Sequence, residues 1–274
     1  MASRPIFGSN RGSRLGAGAP YVFIALFAVA GFAQLAGSAA ALAVGLGLFV
    51  LGLSHGAGDE NDGELRAYSW VLVAAYVVTG LAIAALYLAW PVLGLSIFLA
   101  FSAWHFARSD SGMDLLPRLA IAGLAVGGSA LLRPEATGTV FTAALGQTPP
   151  ALLMLLLTIF GGAALLAAGG SIILRHAGAA SAGLAALACL LFHPVLAVGL
   201  IFFGMHALPV QQRQVERYGT GKVFKAIALP TAVGTLAAAA IALAVWNGWF
   251  ALELAVALAF GMATPHMLTE RLER

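Results

Sequence analysis

Charge is scarce in this 274-residue chain: Asp, Glu, Lys and Arg together make up 9% of it, against 61% hydrophobic residues. A water-soluble domain carries roughly a quarter charged residues, so the composition excludes one. Cysteine is nearly absent as well. The lone Cys189 lies inside the run Leu187-Ala188-Cys189-Leu190-Leu191, which excludes a disulfide framework and a thiolate metal set and leaves packing as its role. The fourteen Lys and Arg residues are scattered singly rather than gathered into a patch. The pI near 9.4 therefore reflects loops facing membrane lipid and not a nucleic-acid surface.

What the chain has instead is apolar runs of helical length, with a mean hydropathy of +0.95. Read with Gly, Pro and charge as punctuation, they predict spans near 20–37, 39–54, 69–89, 91–106, 117–132, 150–168, 178–192, 194–208, 224–246 and 249–265. The expected fold is all-α, a polytopic transmembrane bundle of about ten spans over residues 19–268, with cytoplasmic tails at 1–18 and 269–274. Arg4, Arg11 and Arg14 ahead of the first run resemble the start of a signal peptide, with a cleavage-like Ala-Gly-Ser-Ala ending at residue 39. A retained first span is favoured, because the next run follows at once and needs an antiparallel neighbour.

Pro194 decides the count. The stretch 181–208 reads as one tilted helix or as two, and Pro194 removes a backbone donor and disfavours helix at His193. With ten spans and the N-terminus inside, every Lys and Arg except Arg133 falls on the inner face. Fusing the two segments would strand Arg213, Arg217, Lys222 and Lys225 outside. The expected location is the bacterial cytoplasmic membrane.

This topology places His55, His105, His206 and His266 together at the inner ends of the second, fourth, eighth and tenth spans. Imidazole is costly in hydrocarbon, and four at one depth point to a shared metal ion in a protein-lined site. Asp59 and Asp110 follow the first two histidines closely, placed to accept the other ring N–H of a ligand imidazole. Gly52 and Gly56 form a pair of small residues that lets helices approach closely. Four neutral imidazoles suit a borderline ion such as iron(II) better than magnesium or calcium, and zinc also fits chemically. Phe98 and Phe101 before His105, Trp104 beside it, and Phe202 and Phe203 before His206 are candidates to line a slot for a long apolar molecule. Ordinary helix packing is the competing reading for each. His176 and His193 fall outside the set, and Glu253 is expected near the interface.

The motifs His55-Gly56-Ala57-Gly58-Asp59, Trp104-His105-Phe106 with Asp110, the aromatic run ending in His206, and Pro265-His266-Met267 resemble the Brp/Blh family of membrane β-carotene 15,15′-dioxygenases. The resemblance implies that His55, His105 and His206 bind a catalytic iron(II), with His266 matching a further family histidine. It also implies oxidative cleavage of β-carotene by dioxygen to retinal, and a retinal-accepting rhodopsin as partner. Two positions depart from the family pattern: Val210 stands where a histidine is usual, and Ala107 where glycine is. With His266 as fourth ligand the site is whole without residue 210. The alternatives are an inactive or repurposed carotenoid- or retinal-binding partner protein, a two-iron membrane oxidoreductase, and a transporter. Histidine pairs spaced i, i+4 are lacking for the two-iron enzyme, and mid-span polar residues are lacking for the transporter.

Overall fold

The computed structural model describes the chain except residues 1–18, 57–59, 62–63, 66–69, 109–111 and 273–274. The described residues are helical almost throughout: α1 (Ala19–Leu35), α2 (Ser38–Gly56), α3 (Trp70–Ala89), α4 (Pro91–Arg108), α5 (Leu115–Leu132), α6 (Pro134–Leu145), α7 (Ala151–Ile173), α8 (Ala179–Leu191), α9 (Pro194–Tyr218), α10 (Thr220–Trp246) and α11 (Leu252–Leu272). A two-residue antiparallel pairing, Glu60–Asn61 with Glu64–Leu65, lies between α2 and α3.

Six of these helices, α2, α4, α5, α7, α9 and α10, are long and apolar enough to cross a membrane. Shorter apolar helices occur at Val22–Leu35, Val73–Ala89, Ala179–Leu191 and Leu252–Leu268, where the sequence also predicts spans. Large apolar side chains such as Ile159 on α7 and Leu229 and Leu236 on α10 stand exposed on outer faces. Patches of that extent suit a lipid solvent and would aggregate in water.

The break at Pro194 is present. Phe192 and His193 leave helical geometry, Pro194 starts α9, and the His193 amide donates to Gln34 Oε1 at 2.6 Å. Arg133 donates to the Leu191 carbonyl at 2.8 Å, closing the end of α8. The helices α7 and α11 run past their expected ends at 168 and 265, to Ile173 and Leu272, and two further features differ from expectation. The helix α9 runs ten residues past 208 to Gly219, which ends it with a φ of +83°. Pro209 is tolerated because residues Ile201–Ala207 form a π-helical stretch immediately before it, and the wider register relieves the clash of the Pro ring with the preceding turn. The short helix α6 was not expected, since its Thr-rich twelve residues carry little apolar periodicity. Pro134 opens it and Gly146, at φ +66°, closes it.

Glycines set the closest helix crossings. A Cβ on Gly45 would lie 2.8 Å from the Leu196 backbone, one on Gly127 2.3 Å from the Leu157 carbonyl, and one on Gly80 2.6 Å from the Gly261 carbonyl. These contacts pin α2 to α9, α5 to α7, and α3 to α11, and dispersion between backbones replaces the hydrophobic effect that lipid cannot supply. Cys189 is buried against Gly128 and Leu124, as packing requires.

Candidate metal centre

Four helices deliver four imidazoles to one point. His55 comes from the last turn of α2, His105 from the last turn of α4, His206 from the π-helical stretch of α9, and His266 from α11. The Nε2 atoms of His105 and His206 are 2.9 Å apart, those of His206 and His55 3.2 Å, and those of His266 and His55 3.1 Å. His55, His105 and His206 are buried, and ligand atoms of these three lie within 4.8 Å of one another. His266 is partly buried at the edge of that trio, its ring meeting the His55 ring edge-on at 4.8 Å and the His105 ring at 5.1 Å.

These spacings fit a metal ion. With metal–nitrogen bonds of about 2.0–2.1 Å, adjacent ligand nitrogens stand roughly 2.9–3.4 Å apart. Protonation points the same way. His55 Nδ1 lies 2.5 Å from the Gly52 carbonyl oxygen, so Nδ1 carries the proton and Nε2 presents a lone pair. That lone pair faces two other Nε2 atoms at about the same distance. One N–H can donate to it, whereas a cation satisfies the whole set at once.

The carbonyl of Gly52 therefore orients His55 from within its own helix, a role the sequence assigned to Asp59. Asp59 and Asp110 lie outside the described residues. Gly52 and Gly56 also act differently from expectation, admitting rings rather than a neighbouring helix. A Cβ on Gly52 would fall 2.2 Å from the Phe202 ring, and one on Gly56 2.8 Å from the His266 ring. The α2 face that carries His55 is thus hollowed at two points to seat a second ligand and an aromatic.

The predicted aromatics separate. Phe202 meets the His55 ring edge-on at 5.3 Å and stacks on Phe49. Phe98 instead stacks on Phe260 of α11, with ring centroids 3.8 Å apart and planes at 6°. Phe203 packs against the apolar core that contains Leu200 and Met205, Trp104 lies under the Arg108 guanidinium, and Phe101 is partly buried on α4. Phe49 and Phe260 were not singled out from the sequence, and Phe106, quoted there only within the Trp104-His105-Phe106 motif, meets the His206 ring at 4.8 Å. The signal was there, since Phe49 and Phe260 each precede a site histidine by six residues, but a single helix does not show which neighbour it faces.

The other two histidines sit apart. His176 accepts no place at the centre and pairs with Asp114 at 2.9 Å, tying two loops together. Its hydrogen bond to Asp114, followed by that from the Ala177 amide, holds the Asp114 carboxyl below its usual range. His193 caps the start of α9 by accepting from the Val195 amide. Glu253 occupies the first turn of α11, with its carboxylate against Gly146. Val210 lies one turn beyond His206 and is partly buried.

The architecture is thus a helical bundle of membrane-spanning composition with a buried polyhistidine centre able to hold a metal ion. The family model for Beta-carotene 15,15'-dioxygenase matches residues 46–272, more than four fifths of the chain and all four histidines. The chain belongs to that family. No curated protein and no solved structure matches it.

Proposed function

We propose that this protein is an iron-dependent enzyme of the membrane that cleaves β-carotene, or a close relative, at its central double bond with dioxygen. The observation that carries the reading is the convergence of the four Nε2 atoms from His55, His105, His206 and His266 within a chain of this family. One carbon–carbon double bond and one dioxygen molecule become two carbonyl groups, so the balance requires no further reductant. Iron(II) bound there supplies dioxygen activation.

The chain's own residues supply the rest. The four imidazoles are donors without net charge, and the Gly52 carbonyl keeps His55 in the tautomer that donates through Nε2. Phe202 and Phe106 cover the cluster on the α9 and α4 sides and keep water off it. Rigid placement of one bond of a long substrate beside the centre sets where cleavage falls. Residue 210 is not needed for a fourth imidazole, because His266 provides it.

Ten spans with the N-terminus inside complete the reading. Exposed Trp90, Trp246 and Trp249 then lie at the outer interface and exposed Trp70 at the inner one, the levels that tryptophan prefers. Expression in a host that accumulates β-carotene tests the function. Loss of colour with appearance of retinal, and stoichiometric iron in the purified protein, are expected. Unchanged carotenoid together with metal-free protein refutes it.

A further inference from the structure

Helix α9 is pinned to α2 ahead of its π-helical stretch. A Cβ on Gly45 of α2 would lie 2.8 Å from the Leu196 backbone, and one on Gly199 2.7 Å from the Gly45 carbonyl, so this end of α9 has no room to turn. Beyond it, Phe202 and His206 meet the His55 ring. The next polar contact with α2 comes five residues after His206, where Ser54 Oγ donates to Gln211 Oε1 at 3.4 Å. An α-helix repeats a face after three or four residues. The longer step reflects the π-helical stretch Ile201–Ala207, whose hydrogen bonds each span one residue more.

The stretch ends at a proline. Its last wide bond runs from the Leu208 amide to the Phe203 carbonyl, and the next donor in line would be Pro209, which has none. In a continuous α-helix the Pro209 ring would clash with the Met205 carbonyl, four residues back. The wide register removes that clash, and a return to α-helical winding restores it. Pro209 therefore penalises the ordinary helix here and favours the π-helical form, which is otherwise rare.

We propose that Pro209 is a positioning residue that locks α9 in the π-helical register and so delivers His206 to the metal centre. The inference rests on the reading of the four imidazoles as a metal site. One residue in an α-helical turn corresponds to a rotation of about 100°. With the Leu196–Gly199 end fixed, α-helical winding of residues 201–207 would swing His206 by close to that angle. At a Cα radius of about 2.3 Å this displaces its Cα by roughly 3 Å, and its Nε2 by more. Neighbouring ligand nitrogens stand 2.9 and 3.2 Å from His206 Nε2, so the imidazole would leave the set.

The test uses the full-length protein in detergent with cobalt(II) alone as probe, reading its affinity, its visible spectrum and the thermal midpoint of the metal-free protein. Pro209→Ala is expected to weaken cobalt(II) binding at least tenfold and to change the spectrum as His206→Ala does, because both lose the same imidazole. The metal-free midpoint is expected to hold or rise, since a proline inside a helix gives way to the best helix former. A proline that served the fold alone would lower it. The double variant with His206→Ala is expected to bind no more weakly than His206→Ala itself, as it must if the ring acts through that imidazole. Pro230→Ala, at a proline inside α10, is expected to leave affinity and spectrum native. Native affinity in Pro209→Ala, or weakened affinity with a lowered metal-free midpoint, overturns the lock. Pro209→Ser is measured alongside, and failure of both variants to give folded, monodisperse protein also overturns it, because the ring would then hold the fold and not the register. Absence of cobalt(II) binding by the native protein overturns the metal reading, and the lock with it.

Discussion

Substituting Gly52 by alanine isolates the link between helix packing and the metal centre. The new methyl would sit 2.2 Å from Phe202 Cε1 and 2.9 Å from Cδ1 and Cζ, whereas carbon atoms rest about 3.5–4.0 Å apart. The ring must therefore retreat by more than an ångström. It is held on one side by Phe49 and on another by the edge of His55, so the displacement passes to the imidazole whose Nδ1 is fixed by the same glycine's carbonyl. Overpacking of this kind costs about 1–3 kcal/mol. The better helix propensity of alanine returns only about 1 kcal/mol. The clash wins, and disturbed support of a ligand histidine is expected to weaken metal binding by about 10–100-fold. Metal content after dialysis against graded chelator, measured with aldehyde formation, reads the effect. Gly47 on the same helix has nothing within 4 Å of its would-be Cβ, so Gly47→Ala is expected to retain full metal and activity. Adding Phe202→Leu to Gly52→Ala is expected to restore binding. If Gly52→Ala alone behaves like Gly47→Ala, Phe202 is not locked against α2 and the packing argument is wrong.

Removing an imidazole should act more severely: His266→Ala is expected to lower both metal occupancy and turnover by at least tenfold, whereas His176→Ala and His193→Ala should leave turnover near the native level. Full activity of His266→Ala would remove it from the ligand set. Gly261→Ala places a methyl 2.5 Å from the Gly80 carbonyl and is expected to destabilise the bundle by about 1–3 kcal/mol, visible as a lowered thermal midpoint in detergent. Asp114 gives a pH prediction. Its carboxyl is held below the usual range, first by His176 and then by the Ala177 amide. The stability it contributes is therefore present above the ordinary Asp value near pH ~4 and is lost as pH falls through its lowered native value. Asp114→Asn should flatten the acid side of the midpoint-versus-pH curve, and an unchanged acid slope would show that the pair does not couple to folding.

Much of this protein could be read before any coordinates. The scarcity of charge and the length of the apolar runs determined a membrane-type helical bundle, because every backbone polar group must be satisfied within the segment when water is excluded. The break at Pro194 was legible from a missing N–H. The grouping of His55, His105, His206 and His266 was legible from their recurrence at the ends of apolar runs, and their Nε2 atoms do meet. Helix α6 and the extension of α9 past Pro209 were not, since both depend on what neighbouring helices and a π-helical register permit.

Position along a helix is a one-dimensional quantity, and the sequence by itself determined it here. Which faces meet is a property of pairs of helices, decided only by tertiary structure. Gly52 and Gly56 look like a helix-contact motif from spacing alone, yet the fold fills them with the Phe202 and His266 rings. Phe98 looks like a free wall until Phe260 is found against it. The tautomer of His55 follows from a carbonyl three residues back, at 2.5 Å, because only the folded α2 turns that oxygen toward the ring.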